Sequence, residues 1–209
     1  MPRARPGPGE ELVTGEVSEP RLSASVLLLR GGEATLEVLL VRRTPAARFM
    51  GGVWVFPGGA VDAQDGEGEA ADRAAAVREL REEAGVVGVD PADLVPYSRW
   101  ITPEGVRIRF DTRFFLAAAP EGAEPRIDGA EIVDACWFTP RDALAAFDAG
   151  QVKLVFPTLK HLDQIAKFPS AAALLRAARG REVQPVQPRI VGTGEQARIV
   201  LPGEAGYED

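Results

Sequence analysis

The chain has 209 residues, of which 45% are hydrophobic, so it can bury the core of one domain with extensions rather than two full domains. Its formal net charge of -7 argues against a protein that mainly grips a nucleic-acid backbone, because that task needs an excess of Lys and Arg. Cys136 is the only cysteine, which excludes an intrachain disulfide, and no apolar run reaches the roughly 18 residues of a transmembrane helix. We therefore expect a cytoplasmic protein with no nucleic-acid partner and no membrane partner.

The first half of the chain is predicted to contain an arm followed by three strands. Residues 1–20 carry several Pro and Gly and lack apolar periodicity, which predicts a flexible arm outside the fold. Apolar β-type runs follow at 25–29 and 36–42, and the turn residues between them predict a hairpin. A third short strand is expected at 53–56 and should stop at Pro57-Gly58-Gly59.

The segment from residue 69 to Ala84 is composed mainly of Ala, Leu, Arg and Glu, which favour a helix, and Gly85 is a natural C-terminal stop. Beyond it, the residue patterns predict strands at 97–102, 107–117 and 131–138, and helices at 140–147, 157–167 and 171–179. One further strand is expected at 197–201. This order of elements predicts an α/β (α+β) protein with a mixed β-sheet sandwiched between α-helices. We expect a folded domain at 21–183 and a C-terminal tail at 184–209.

The predicted helix ending at Ala84 carries a dense acidic pattern. Glu79, Glu82 and Glu83 stand at positions i, i+3 and i+4 and therefore share one face. Like charges at this spacing repel each other, and a hard divalent cation with oxygen ligands offsets that repulsion. A solvated acidic face with salt bridges is the commoner explanation for an isolated helix of this composition. The sequence around the helix favours the cation.

The run from Arg78 to Val86 resembles the signature of the Nudix hydrolases, G-x5-E-x7-R-E-U-x-E-E-x-G-U, in which U is aliphatic. It fills every specified position of the second half, and Phe56-Pro57-Gly58-Gly59 resembles the family's strand-to-loop junction. The resemblance implies the Nudix fold, Mg²⁺ or Mn²⁺ as cofactor, and hydrolysis of a pyrophosphate bond in a molecule linked to a nucleoside diphosphate. It also implies a homodimer, to which both terminal arms could contribute.

The same resemblance assigns roles to individual residues. It implies that the three glutamates, Glu79, Glu82 and Glu83, hold the metal and help to activate the attacking water, with the division between ligand and base left open. Gly58 or Gly59 would add a carbonyl ligand, and Arg78 would brace the loop against the helix.

The loop before the helix departs from the signature. Arg78 follows Gly59 by 19 positions, whereas the pattern has 14, an excess of five residues. The extra residues fall in the polar stretch 62–69, which can lengthen a surface loop at small entropic cost. The signature's first glutamate is displaced as a result, and both Asp65 and Glu69 are candidates for the acidic partner of Arg78.

A second motif points to the substrate. Residues 39–59 match the spacing of the accessory motif of Nudix coenzyme A diphosphatases, L-L-T-x-R-(S or A)-x3-R-x3-G-x3-F-P-G-G, with departures at Val41 and Thr44. Arg43 and Arg48 stand at its two arginine positions, and Arg suits bidentate phosphate contacts, although ordinary surface arginines beside a strand are about equally common. The expected substrate is coenzyme A or an acyl derivative. ADP-ribose and NADH are the alternative substrates, and a catalytically silent nucleotide-binding regulator is the alternative function.

Aromatic residues, two further glutamates and the histidine also bear on the predicted site. Phe56 adjoins the loop and is a candidate for substrate binding, whereas Trp54 and Trp100 are more typical of core packing than of base stacking. Glu104 and Glu131 are candidates for the further carboxylate that many Nudix enzymes take from outside the signature. His161, the only histidine, is expected to have a surface or packing role rather than a catalytic one.

Overall fold

The computed structural model describes residues 18–47, 50–127, 129–192 and 197–208. Arg48 and most of the predicted arm at 1–20 therefore lie outside the described residues, and the expectations placed on them stay predictions. No helix in the described ranges combines the length and the apolar character needed to cross a membrane.

The described residues form ten strands, four α-helices and two short 3-10 helices. The strands are β1 (Arg21–Arg30), β2 (Glu37–Arg43), β3 (Trp54–Val55), β4 (Gly58–Ala60), β5 (Val95–Ile101), β6 (Phe110–Ala118), β7 (Ile132–Phe138), β8 (Pro185–Val186), β9 (Arg189–Val191) and β10 (Arg198–Val200). The α-helices are α1 (Gly68–Ala84), α2 (Pro140–Asp148), α3 (Phe156–Ile165) and α4 (Ala171–Ala178). The 3-10 helices are Ala63–Asp65 and Pro91–Asp93.

One mixed sheet of eight strands organises the fold. Its order is β3-β2-β1-β6-β5-β8, with β4 also paired to β1 and β7 to β2. β1 runs parallel to β6 from the pair Arg21↔Phe110 to the pair Leu29↔Ala118. The predicted hairpin of β1 and β2 is confirmed, but its strands pair only next to the turn, because β2 then leaves β1 to pair with β7.

Helices cover both faces of this sheet, which confirms the predicted layers. Side chains alternate along β1, so Val26 and Leu28 join the apolar cluster beneath α1. Leu27 and Leu29 join the opposite cluster, to which α2, α3 and α4 contribute. Buried apolar side chains thus fill the space between the sheet and the helices on both sides.

Three sequence expectations about strands need correction. The expected third strand does end before Pro57, as β3, but a strand that the sequence did not predict, β4, begins at Gly58 and pairs antiparallel with β1. Glycine is a breaker in local statistics, yet here a Cβ atom at Gly58 would overlap Ser25 of β1, so the close strand approach requires glycine. β6 begins at Phe110 instead of 107. The C-terminal tail holds β8 and β9 in addition to the expected strand, which is β10.

The tail contacts the main sheet directly. β8 pairs parallel with β5 through Arg99↔Pro185 and Trp100↔Val186. β9 and β10 form a separate antiparallel hairpin. The division of the chain at 183 and 184 stays a prediction, and the structure adds that residues beyond it complete the edge of the sheet.

Candidate active site

The end of α1 that carries the glutamates is firmly anchored. Leu80 and Ala84 are fully buried beneath β1. Gly85 ends the helix in the left-handed conformation, with φ of 63°, and its N–H donates to Arg81 O. Arg126 N–H donates to Ala84 O at 2.7 Å and closes this end of the helix. The carboxylate-bearing face is thereby turned toward β4.

Glu83 is the most buried of the three carboxylates. Its side chain is 6% exposed, and Gly58 N–H donates to its Oε2 at 2.9 Å. Burial raises the pKa of Glu83 to about 8, and the hydrogen bond from Gly58 opposes that rise. Arg43 Nη1 lies 4.0 Å from Glu83 Oε1. Glu83 therefore needs a nearby positive charge to stay ionised at neutral pH.

Glu79 packs against the backbone of β4. A Cβ atom at Gly59 would lie 2.5 Å from Glu79 Cδ, so the absence of a side chain at Gly59 makes room for this carboxylate. Burial raises the pKa of Glu79, whereas the hydrogen bond from Arg78 lowers it. Glu82 is more exposed and also accepts a hydrogen bond from Arg78, at 3.0 Å. Glu83 and Glu79 thus lie against Gly58 and Gly59, and Glu82 is joined to Glu79 through Arg78.

Arg78 links the helix to the loop. Its Nε and Nη2 donate to the two carboxylate oxygens of Asp65, each at 3.0 Å, and Nη2 also donates to Ala60 O at 3.0 Å. Nη1 donates to Glu79 at 2.7 Å and to Glu82 at 3.0 Å. The guanidinium holds the pKa of Asp65 below its usual range. Arg78 therefore joins the loop, the strand β4 and two glutamates through one side chain.

The two sequence candidates for the partner of Arg78 are separated by this geometry. Asp65 is that partner, whereas Glu69 pairs with Arg73 one helical turn away, at 2.8 Å. The expanded loop is itself ordered: the 3-10 helix Ala63–Asp65 carries Asp65 inward, and Asp62 N–H donates to its side chain at 2.8 Å. The insertion lengthens the loop and still delivers a carboxylate to the arginine.

The donor set suits a hard divalent cation. Three carboxylates and the carbonyl oxygens of Gly58 and Gly59 are the oxygen ligands that Mg²⁺ and Mn²⁺ prefer. Within the described ranges, however, no three acidic, histidine or cysteine side chains already surround one point at coordinating distance. Glu79 and Glu82 instead accept hydrogen bonds from Arg78. Each accepts through a single oxygen, Oε1 of Glu79 and Oε2 of Glu82, so the second oxygen of each carboxylate is not bonded to Arg78.

These residues line a cavity of about 1290 Å³. The predicted site residues on its wall are Arg43, Phe56, Gly58, Gly59, Arg78, Glu79, Glu82 and Glu83. Glu131 lies there too, and Arg43 Nη2 donates to its Oε1 at 3.2 Å. Glu104 is not among the lining residues. Of the two tryptophans considered, Trp100 lines the cavity, whereas Trp54 packs edge-on against Phe138.

His161 lies behind the cavity wall and does not line it. Its ring sits among Phe56, Trp100 and Phe114, with centroid distances of 5.9, 5.6 and 4.4 Å. Nε2 lies 2.6 Å from Ser98 Oγ, and Nδ1 has no hydrogen-bond partner among the described residues. Burial lowers the pKa of His161 to about 3. The neutral ring therefore has a packing role, against the aromatic side chains of Phe56, Trp100 and Phe114.

Part of the cavity wall was not foreseen from the sequence. It comes from the loop between β5 and β6 and from the C-terminal hairpin, including Val106, Ile190 and Ile199. Aliphatic residues far apart in the chain carry no motif, so sequence patterns offered no signal for them.

Comparisons with known proteins identify the family. The NUDIX domain family model matches residues 19–157. Nudix hydrolase 7 of Caenorhabditis elegans is 28% identical in an alignment 233 residues long, which covers 93% of this chain and 77% of that protein. The acyl-coenzyme A diphosphatase NUDT19 of Homo sapiens is 31% identical over 116 residues, covering 53% of this chain and only 31% of that protein.

A solved structure shows the same architecture. The crystal structure of a NUDIX hydrolase from Alicyclobacillus acidocaldarius superposes with a TM-score of 0.68 at 28% identity, and the match covers 76% of this chain and 96% of that one. The fold and the family match agree with the glutamate cluster on α1. The chain therefore belongs to the Nudix hydrolases, divalent-cation-dependent enzymes that hydrolyse pyrophosphate linkages.

Proposed function

We propose that this protein cleaves the pyrophosphate bond of coenzyme A or an acyl-coenzyme A, with Mg²⁺ or Mn²⁺ held by Glu79, Glu82 and Glu83. The observation that carries the reaction is the placement of Glu83 and Glu79 against Gly58 and Gly59, with Glu82 beside them in the lining of the same large cavity. The bound cation supplies charge neutralisation for the pyrophosphate and lowers the pKa of the attacking water.

The protein's own groups perform the remaining tasks. Arg78 and Asp65 hold the loop and α1 in register, so the glutamates keep their place relative to β4. Glu131 is our candidate for the carboxylate that accepts the proton from water, because it faces the cavity from outside the signature and its side chain is 63% exposed. Arg43, between Glu83 and Glu131, is placed to contact a phosphate oxygen.

The substrate assignment rests on the motif at residues 39–59 and on a relative. That relative, the human protein, is an acyl-coenzyme A diphosphatase by name, and its match covers about half of this chain, 53%. Arg48 belongs to the motif and stays a predicted phosphate contact. ADP-ribose and NADH share the pyrophosphate and are the nearest rival substrates. A silent nucleotide-binding regulator is disfavoured because all three glutamates are present.

The test is a hydrolysis screen with Mg²⁺ or Mn²⁺ over coenzyme A, acetyl-coenzyme A, ADP-ribose, NADH and nucleoside triphosphates. Glu82→Gln and Glu83→Gln should lose at least a hundredfold in kcat. Glu69→Gln is the matched control, because Glu69 lies on the same helix but pairs with Arg73 outside the cavity. The absence of turnover with either metal on every compound would refute the reaction. Faster cleavage of ADP-ribose than of coenzyme A would refute only the substrate.

Location and assembly are secondary parts of the proposal. A cytoplasmic location is in keeping with the single cysteine, Cys136. A homodimer is what the family resemblance implies. Light scattering of the purified protein, which should give twice the chain mass of 22.3 kDa, tests the second point.

A further inference from the structure

The lining of the cavity includes two chemically different sets of side chains. One set is the three glutamates of α1. The other is a set of aliphatic side chains that we call the aliphatic wall: Ile101, Val106, Ile108, Pro188, Ile190 and Ile199. Three of these belong to β5 or the loop that follows it, and three to the C-terminal region. The volume of about 1290 Å³ exceeds the roughly 300–1000 Å³ of ordinary small-molecule sites. The cavity can therefore hold a substrate longer than a nucleoside diphosphate.

The C-terminal half of the wall is a built structure. Ile190 of β9 and Ile199 of β10 are direct cross-strand partners, so their side chains share the face of the hairpin that lines the cavity. The hairpin is held by Val200, which is 1% exposed, and by Tyr207, whose hydroxyl donates to Gln187 O at 2.9 Å. This hairpin lies beyond the residues 19–157 that the family model matches. Residues outside the matched range therefore reach the same cavity as the glutamates.

Three hydroxyl groups in the lining of the cavity, those of Ser23, Thr102 and Thr112, are engaged within the protein. Ser23 Oγ and Thr112 Oγ1 bond to each other at 2.6 Å. Thr102 Oγ1 accepts a hydrogen bond from Phe110 N–H at 3.0 Å. A nucleobase needs free donors and acceptors as well as a flat surface, whereas an alkyl chain needs only apolar area. Branched aliphatic side chains with satisfied hydroxyls around them match the alkyl chain.

We infer that the aliphatic wall holds an acyl chain carried by the non-nucleotide half of the substrate, and that the C-terminal hairpin makes the enzyme prefer acylated over short substrates. The inference rests on the proposed function and extends it by naming a specificity determinant. Burying one methylene contributes a factor of roughly four in affinity. If two of the four extra methylenes of hexanoyl-coenzyme A are buried, the wild-type protein should prefer it to acetyl-coenzyme A by roughly tenfold or more.

The experiment measures kcat/KM for acetyl- and hexanoyl-coenzyme A in the wild type, in Ile190→Ala and in Val191→Ala. Val191 is the matched control, because it is the next residue of β9 and does not line the cavity. Ile190→Ala should lower the hexanoyl preference severalfold, and Val191→Ala should retain it. The inference would be overturned if the wild-type ratio of kcat/KM for hexanoyl- to acetyl-coenzyme A were near one. It would also be overturned if Ile190→Ala had the same ratio as the wild type. An equal loss on both substrates would overturn it too, because the wall would then hold the shared nucleotide half.

Calorimetric binding to Glu83→Gln separates this inference from the reaction. Suppose that no compound is hydrolysed, but hexanoyl-coenzyme A still binds more tightly than coenzyme A and Ile190→Ala in that background removes the difference. The role of the aliphatic wall would then be supported and the proposed reaction refuted. If hydrolysis occurs without a chain-length preference, the proposed reaction would be supported and the role of the aliphatic wall refuted.

Discussion

Replacing Asp65 tests how the expanded loop is attached to the glutamate helix. Its side chain is 4% exposed and accepts two hydrogen bonds from Arg78, whose side chain is 12% exposed. Removing one partner of a buried ion pair costs about 3–5 kcal/mol, because the other charge is left uncompensated. Arg78 would keep Glu79, Glu82 and Ala60 O as acceptors, so we expect a loss at or below the bottom of this range, about 2–3 kcal/mol, for Asp65→Ala.

Urea denaturation measures this loss of unfolding free energy, and a thermal scan should show a Tm lower by about 4–12 °C. Glu69→Ala is the control, because its partner Arg73 forms an exposed i,i+4 pair and its loss should cost only about 0.5 kcal/mol. Asp65→Ala should also weaken Mg²⁺ binding, since a freed Arg78 bonds more strongly to Glu79 and Glu82. Equal destabilisation by the two substitutions would refute the assignment of Asp65 as the partner of Arg78.

Three further predictions concern single side chains. Gly59→Ala should reduce kcat at least tenfold, because the new Cβ displaces Glu79. Gly32 is the control: it lies in open space at φ of +55°, so Gly32→Ala should cost about 1 kcal/mol of stability and leave kcat unchanged. His161 should make the protein acid-sensitive: its folded pKa of about 3 lies below the unfolded value of 6.5, so stability falls by about 1.4 kcal/mol per pH unit as pH drops below 6.5. Urea midpoints between pH 7 and 4 check this, and a slope shared by His161→Gln would contradict it. Leu80→Ala should destabilise by about 2–5 kcal/mol in the same assay, because the side chain is fully buried, and a loss under 1 kcal/mol would show that α1 is not anchored there.

Local patterns were sufficient for the elements whose stability is local. The helix ending at Ala84 and the strands around Val26 and Phe115 were predicted because side-chain periodicity reports burial within one element. β4 was missed, since Gly58 and Gly59 are breakers by local preference and form a strand only because β1 lies beside them. β8 and β9 were missed for the same reason, as short strands depend on partners elsewhere in the chain.

Site residues divided along a similar line. The glutamates could be chosen from the sequence because they share one helix and the run from Arg78 to Val86 matches the Nudix signature. The acidic partner of Arg78 could not, because counting positions across an insertion gives no three-dimensional answer, and Asp65 and Glu69 remained equal until the loop was seen. Ile190 and Ile199 reach the cavity only through tertiary packing, so nothing in their local sequence distinguishes them from core residues.

The parallel pairing of β1 with β6 has a consequence for synthesis of the chain. Partners along this pairing, such as Ser23 and Thr112, are 89 residues apart, so β1 leaves the ribosome well before its main partner exists. At translation rates of about 5–20 residues per second, the apolar stretch from Val26 to Leu29 waits roughly 4–18 s for β6. During that interval its unpaired backbone and apolar side chains are accessible to other nascent chains. The parallel pairing thus sets the earliest moment at which β1 can be buried in the sheet, which is the emergence of β6.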